Sequence, residues 1–230
     1  MDIYGQALMD QYRGKLKSKL WLYNSYGHPE DMPVDVFFRP EADMPELEII
    51  AMDLCVGKTL DIGAGVGSHA LILQAKGIDV TALEISSKAC EIMKHRGVLK
   101  VINSDILHYN SERYDTILLL MNGIGLCEDI SGLRNFLDYI KKLLQPSGQL
   151  IFDSSDIAYL YKPDEFISSN YYGEISYQYE YQKIKGDWFK WLYVDFETLK
   201  AIAEKSGWEC EMIYEDEMDQ YLVRMKLTNK

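Results

Sequence analysis

Residues 59–67 read Thr-Leu-Asp-Ile-Gly-Ala-Gly-Val-Gly. An apolar run ends at Ile62, three glycines alternate at Gly63, Gly65 and Gly67, and an amphipathic stretch opens at Ser68. Without a Cβ, glycine lets the backbone turn tightly and lie against a ligand. A helix opening behind such a loop adds unpaired N–H groups and the positive end of its dipole. These residue types describe a nucleotide-type binding loop. A dinucleotide fingerprint needs Gly-x-Gly-x-x-Gly, but Ser68 stands three after Gly65 and the third glycine comes one residue early. The pattern is Asp-x-Gly-x-Gly-x-Gly. Its Asp61 carboxylate suits an ammonium better than a pyrophosphate, which disfavours a nicotinamide oxidoreductase.

Three further positions repeat the theme of a polar residue at the end of an apolar run. Glu84 closes DVTALE, about 20 residues past the loop, where a carboxylate accepts hydrogen bonds from both ribose hydroxyls; its other use is as a helix N-terminal acid. Asp105 follows the next run, in INSDIL. Asn122 and Gly123 follow YDTILLLM, where an open α/β sheet places its ligands.

Together these segments resemble the class I (Rossmann-like) S-adenosylmethionine-dependent methyltransferases, over residues 57–155 by motif and beyond them by topology. The resemblance implies S-adenosylmethionine (SAM) as cofactor, with Asp61, Gly63, Ala64, Gly65 and Gly67 around its amino-acid tail and Glu84 on its ribose. It implies Asp105 at the adenine amino group, or an ordinary turn aspartate there. Ile85 and Ile106 become the apolar faces around adenine, or plain core residues. Met121, Asn122 and Gly123 fall beside the sulfonium. Arg39 becomes a fork for the cofactor carboxylate, or a surface loop residue. The run after the fourth strand is Asn122-Gly123-Ile124-Gly125, not the Asn/Asp-Pro-Pro-Tyr/Phe of amino-directed enzymes of this fold. With the acidic charge, that favours a small-molecule acceptor over a protein or RNA substrate. A non-catalytic SAM-binding partner or sensor is the reading outside enzymes. Methyl transfer needs alignment and exclusion of water more than a catalytic triad. Base candidates are Tyr26 and His28, and Asp153 and Asp156 either orient an acceptor or cap the next turn.

The elements that position these residues follow from periodicity. Near-continuous apolar runs at Lys58–Ile62, Asp79–Leu83, Leu99–Ile102, Tyr114–Leu120 and Gln149–Asp153 read as buried parallel strands. Amphipathic stretches at Ser68–Lys76, Ser87–Arg96 and Leu133–Leu144 alternate with them as helices. A helix with Asp195 as N-cap and Gly207 as its stop, then WECEMIYE and QYLVRMKL, complete seven strands with the last antiparallel. The expected fold is a doubly wound α/β sheet forming one domain. A cap segment spans 1–56, the cofactor-binding core 57–155, an inserted aromatic hairpin 156–194, and the last helix and two strands 195–230. In the cap, helices are expected at Ile3–Lys17 and Pro45–Leu54 around an irregular aromatic stretch. In the insert, ISYQYEYQKI alternates with period two and Gly186-Asp187 marks the turn. Its rings, among them Tyr171, Tyr172, Tyr177, Tyr179, Tyr181, Trp188 and Trp191, either wall an acceptor pocket or pack the hairpin and a homodimer contact.

Composition sets the boundaries. Among 230 residues, 36 are acidic and 24 basic, a net charge of −12, so nucleic acid is not expected as a partner. Arg13, Lys15, Lys17 and Lys19 form the densest basic stretch and read as a solvated face. Cys55, Cys90, Cys127 and Cys210 are far apart, without metal-ligand spacing, and suit reduced thiols in the cytoplasm. No apolar run reaches the roughly 18 residues of a membrane span, and MDIYGQALMDQYRGK, with no long apolar core after a basic start, is not expected to be a secretory signal.

Overall fold

The computed structural model describes residues 1–161 and 170–228. Part of the aromatic insert, 162–169, lies outside them. Seven strands form the main sheet: β3 (Lys58–Ile62), β4 (Asp79–Glu84), β5 (Val101–Asn103), β6 (Tyr114–Leu119), β7 (Leu144–Ser155), β11 (Trp208–Glu215) and β12 (Gln220–Leu227). Their order is β11-β12-β7-β6-β3-β4-β5. All neighbours from β7 to β5 are parallel, and β12 runs antiparallel to both of its partners.

Alternation of side chains sends Leu60, Ile62, Ile117, Leu119, Leu150 and Phe152 to one face. Leu118, Leu120, Ala82 and Ile151 go to the other. Helices α5 (Ile130–Ile140) and α6 (Phe196–Lys205) cover the first face, and α2 (Glu46–Asp53) and α3 (Ser68–Ala75) cover the second. Burial on both sides explains why these strands read as continuous apolar runs. Helix α4 (Ser87–Arg96) starts at Ser86, whose hydroxyl accepts the Ala89 N–H, and ends on Gly97 at φ 96°.

Helix α1 (Ile3–Tyr12) is shorter than expected. Gly14 takes φ 65°, and Lys15 N–H donates to Asp10 O at 2.7 Å while Gly14 N–H donates to Gln11 O at 3.0 Å. This pair of bonds ends the helix before the basic residues are reached. Helix α5 starts earlier than expected, because Asp129 accepts the Gly132 N–H and fixes the N-terminus there.

The aromatic stretch of the cap, expected to be irregular, contains β1 (Leu20–Asn24) and β2 (Glu30–Met32). They join β8 (Glu174–Tyr181), β9 (Ile184–Lys185) and β10 (Phe189–Leu192) in a second antiparallel sheet, with β1 between β2 and β8. The hairpin turn is Gln182-Lys183, both at positive φ, and not Gly186-Asp187. Gly186 lies in a bulge: the register of β8 shifts by one residue between β9 and β10. A Cβ at Gly186 would come within 3.3 Å of Ile3 Cγ1, so the bulge lets α1 approach closely. No helix among the described residues is long and apolar enough to cross a membrane.

Candidate active site

The site lies at the carboxyl ends of β3, β4, β6 and β7, between the main sheet and a roof made of α1 and the second sheet. The glycine loop leaves β3 with Gly63, Gly65 and Gly67 at φ 71°, 55° and 82°, conformations that cost a side-chain-bearing residue roughly 1–2 kcal/mol. A Cβ on Gly63 would meet nothing within 4 Å. One on Gly65 would point at the Tyr4 hydroxyl, 3.6 Å away. Gly67 is required by packing, since its Cβ would lie 2.8 Å from Val98 and 2.9 Å from Met93. Ala64 is buried between them.

Glu84 is buried at the tip of β4. Its Oε2 accepts the Gly65 N–H at 2.9 Å and its Oε1 the Ser86 N–H at 2.8 Å. Burial raises its pKa, and those backbone donors pull the other way. Next to it Ile85 is 71% exposed, an apolar side chain presented at the rim of the carboxyl edge. Ile106, by contrast, belongs to the core packed around Leu83 and Tyr109. Asp105 caps the short turn after β5 by accepting the Leu107 N–H.

Asp61 is fully buried and its Oδ2 has no hydrogen-bond partner among the described residues. Burial pushes its pKa up to about 6, with His69 pulling it down. Asp153, at the end of β7, behaves alike: burial raises it to about 6. Its Oδ2 accepts Asn122 N–H and Gln220 Nε2–H, and its Oδ1 has no partner among the described residues. Met121 and Asn122 follow β6 at φ 62° and 54°. Two successive left-handed residues without glycine are costly, and such strain concentrates at functional sites. Asp153 and Ser155, which donates to Asn122 Oδ1, hold this bend. Gly123 opens the turn that follows.

Arg39 is engaged within the protein. Its guanidinium pairs with Glu48 and donates to Val36 O at 3.0 Å, while Nε is buried without a partner among the described residues. His69 Nε2 holds the other Glu48 oxygen at 2.7 Å. Burial pushes the Glu48 carboxyl up, but His69 and Arg39 outweigh it and hold its pKa below the usual value. This cluster, drawn from three separate elements, carries no signal in the sequence.

Tyr4 is a residue the sequence reading missed. Its ring stacks on Tyr179 at 5.5 Å and meets Phe37 edge-on at 5.3 Å. Burial raises its pKa, as do Tyr179 and Glu84 nearby. Tyr179 is likewise pushed up by burial, then by Tyr193 and Glu84. Burial raises the Tyr193 pKa, the hydrogen bond with Tyr177 pulls it down, and Glu30, Tyr159 and Asp153 push it up. The Tyr4 hydroxyl thus lies over the glycine loop that Glu84 holds, and Val194 N–H, next to Tyr193, donates to Ser154 Oγ, next to Asp153, at 3.0 Å. Of the other base candidates, Tyr26 donates to Glu30 at 2.8 Å, and His28 is exposed. Asp156 caps the next turn by accepting the Ala158 N–H and also accepts from Tyr172. Cys55, Cys90 and Cys127 are buried free thiols.

A glycine loop and an acidic strand tip beneath this strand order define the class I methyltransferase fold. A family model described as a methyltransferase domain matches residues 60–152. A SAM-dependent methyltransferase from Bacteroides fragilis, solved with S-adenosyl-L-homocysteine (SAH), is 38% identical, with 99% of this chain and 95% of that one covered, at a TM-score of 0.92. The chain belongs to the SAM-dependent methyltransferases. The CcbJ methyltransferase from Streptomyces caelestis (12% identity, 99% and 98% covered, TM-score 0.68) shares the fold. So does a SAM-dependent methyltransferase from Clostridium acetobutylicum (14% identity, 82% and 94% covered, TM-score 0.57). No curated protein matches the sequence.

Proposed function

We propose that this chain methylates a small molecule in the crevice between the glycine loop and the aromatic roof, as a single cytoplasmic domain. The observation that carries this reading is the roof itself. Tyr4 from the chain's own α1 lies against the glycine loop and stacks on Tyr179 of the second sheet, and the net charge of −12 opposes a polyanionic substrate.

The residues present fit the cofactor. Asp61 Oδ2 is a buried acceptor with no partner among the described residues, and the cofactor's ammonium would supply a donor there. The empty space beside Gly63 admits its amino-acid tail, with Ala64, Gly65 and Gly67 shaping the loop. Glu84 holds the ribose, Ile85 flanks adenine, and Asp105 faces its amino group. Met121, Asn122 and Gly123 line the transfer point. Bound there, SAM supplies an activated methyl group. The protein's part is to hold the acceptor in line, which contributes about 7–11 kcal/mol in well-aligned systems, and to exclude water with the tyrosine roof.

Incubation with tritium-labelled SAM and a metabolite panel, beside bulk protein and RNA, tests this. Label in a small molecule is expected; label confined to protein or RNA contradicts it.

A further inference from the structure

The second sheet and its flanks bring three tyrosine hydroxyls into one line. Tyr177 in β8 donates to Tyr193, just past β10, at 3.2 Å. The Tyr177 and Tyr26 hydroxyls are 3.5 Å apart. Tyr26 donates to Glu30 Oε1 at 2.8 Å. Asn24, which pairs with Tyr177 across β1 and β8, fixes the outer end: its Nδ2 donates to Glu30 Oε1 at 3.1 Å and to His28 O at 3.0 Å. Its Oδ1 accepts the Gly27 and Tyr26 N–H groups. The line has two distinct ends. Tyr193 at the inner end precedes Val194, whose N–H donates at 3.0 Å to the Oγ of Ser154, the residue after Asp153. Glu30 at the outer end is exposed.

We propose that this line is the exit path for the proton released on methylation, and that the acceptor nucleophile is therefore an N–H or O–H group. The inference rests on the crevice reading above. The acceptor's lone pair forms the bond to the methyl carbon as the carbon–sulfur bond breaks and its electron pair leaves with sulfur. The acceptor heteroatom then carries one proton too many. That proton passes to the Tyr193 oxygen, the Tyr193 proton to Tyr177, the Tyr177 proton to Tyr26, and the Tyr26 proton to the Glu30 carboxylate, which releases it to water. The step needs only rotation of hydroxyl hydrogens, notably that of Tyr177 from Tyr193 towards Tyr26. Asp153, at the end of β7, is a dead end. It is fully buried, its Oδ2 is taken by two donors, and its Oδ1 has no onward partner among the described residues.

The test uses Glu30→Gln, Tyr177→Phe and the double variant. It measures SAH binding by calorimetry, tyrosine ionisation by ultraviolet difference titration, and label transfer from tritiated SAM to amines, phenols, alcohols, thiols and carboxylates. SAH affinity should match wild type in all three. The Tyr26 titration, pushed up to about 12 in the wild type chiefly by burial and also by Glu30, should fall in Glu30→Gln. With an N–H or O–H acceptor, each single variant should lose about tenfold or more in kcat at unchanged KM. The double should lose no more than either single, as for residues acting as one unit. An unmoved Tyr26 titration, wild-type kcat, additive losses, or label on no N–H or O–H compound while SAH binds would each overturn the proposal. Failure of the wild type to bind SAH would overturn the crevice reading and this inference with it.

Discussion

Glu84 ties the glycine loop to the roof. Its carboxylate accepts the Gly65 N–H and the Ser86 N–H, Ser86 Oγ donates to Asp2 Oδ2 at 2.6 Å, and Asp2 Oδ1 accepts the Gly5 N–H that opens α1. One chain of hydrogen bonds therefore runs from the glycine loop to the first turn of α1. Glu84→Ala leaves two backbone donors without their acceptor, at a cost of about 1–3 kcal/mol each where water cannot replace it. A lower melting temperature is expected, together with at least about a tenfold weaker SAM affinity by calorimetry. Unchanged affinity would place the ribose elsewhere.

Asp61 makes the site pH-sensitive in two ways. Burial raises its pKa from 3.8 to about 6 in the folded protein. The folded state therefore holds the proton more tightly than the unfolded chain. The stability this gives is fully present below about pH 4 and is lost as pH rises through about 6, a difference of at most about 3 kcal/mol. Asp61→Asn should melt higher than wild type at pH 7, and the gap should close towards pH 4. SAM affinity should move oppositely. The wild type should bind more weakly as pH falls through about 6, because the ammonium needs the ionised carboxylate, and Asp61→Asn should bind weakly at every pH. A wild-type affinity flat across that range would remove Asp61 from the tail-binding role.

Gly125 and Trp191 are packed without room for a methyl group, since a Cβ on Gly125 would overlap the indole. Gly125→Ala should displace Trp191, change its fluorescence, and destabilise the protein by about 1–3 kcal/mol. SAM binding, which this contact does not touch, should survive. Loss of SAM binding would mean that the cofactor crevice extends under Trp191.

The turn Gln182-Lys183 places two ordinary residues at φ 51° and 65°. A two-residue hairpin with both residues left-handed prefers Asn-Gly. The double substitution Gln182→Asn/Lys183→Gly should raise stability by about 1 kcal/mol or more, read as a higher melting temperature with methyl-transfer activity unchanged. No gain would mean that the strands, not the turn, carry its strain.

The main sheet was legible because burial on both faces writes itself as apolar runs, and the loop because Gly63, Gly65 and Glu84 have few substitutes for their geometry. The second sheet was not. β1 has a burial pattern without alternation, and its register partner for Tyr23 is Gln178, far along the chain. Such pairing is decided by tertiary packing, not by local pattern. The hairpin turn lies away from Gly186-Asp187 for a related reason. Gly186-Asp187 carries the usual turn chemistry, but its glycine is used for a bulge that admits Ile3 of α1. Tyr4 and the Arg39–Glu48–His69 cluster depend on contacts among elements that no spacing rule connects.

A crystal structure with SAH bound tests the central claim most directly. It should show the amino-acid tail in the bend beside Gly63 with its ammonium on Asp61, the ribose hydroxyls on Glu84, and adenine against Ile85. Electron density for the nucleoside away from the β3 and β4 tips, or an Asp61 still unpartnered beneath it, would contradict the account.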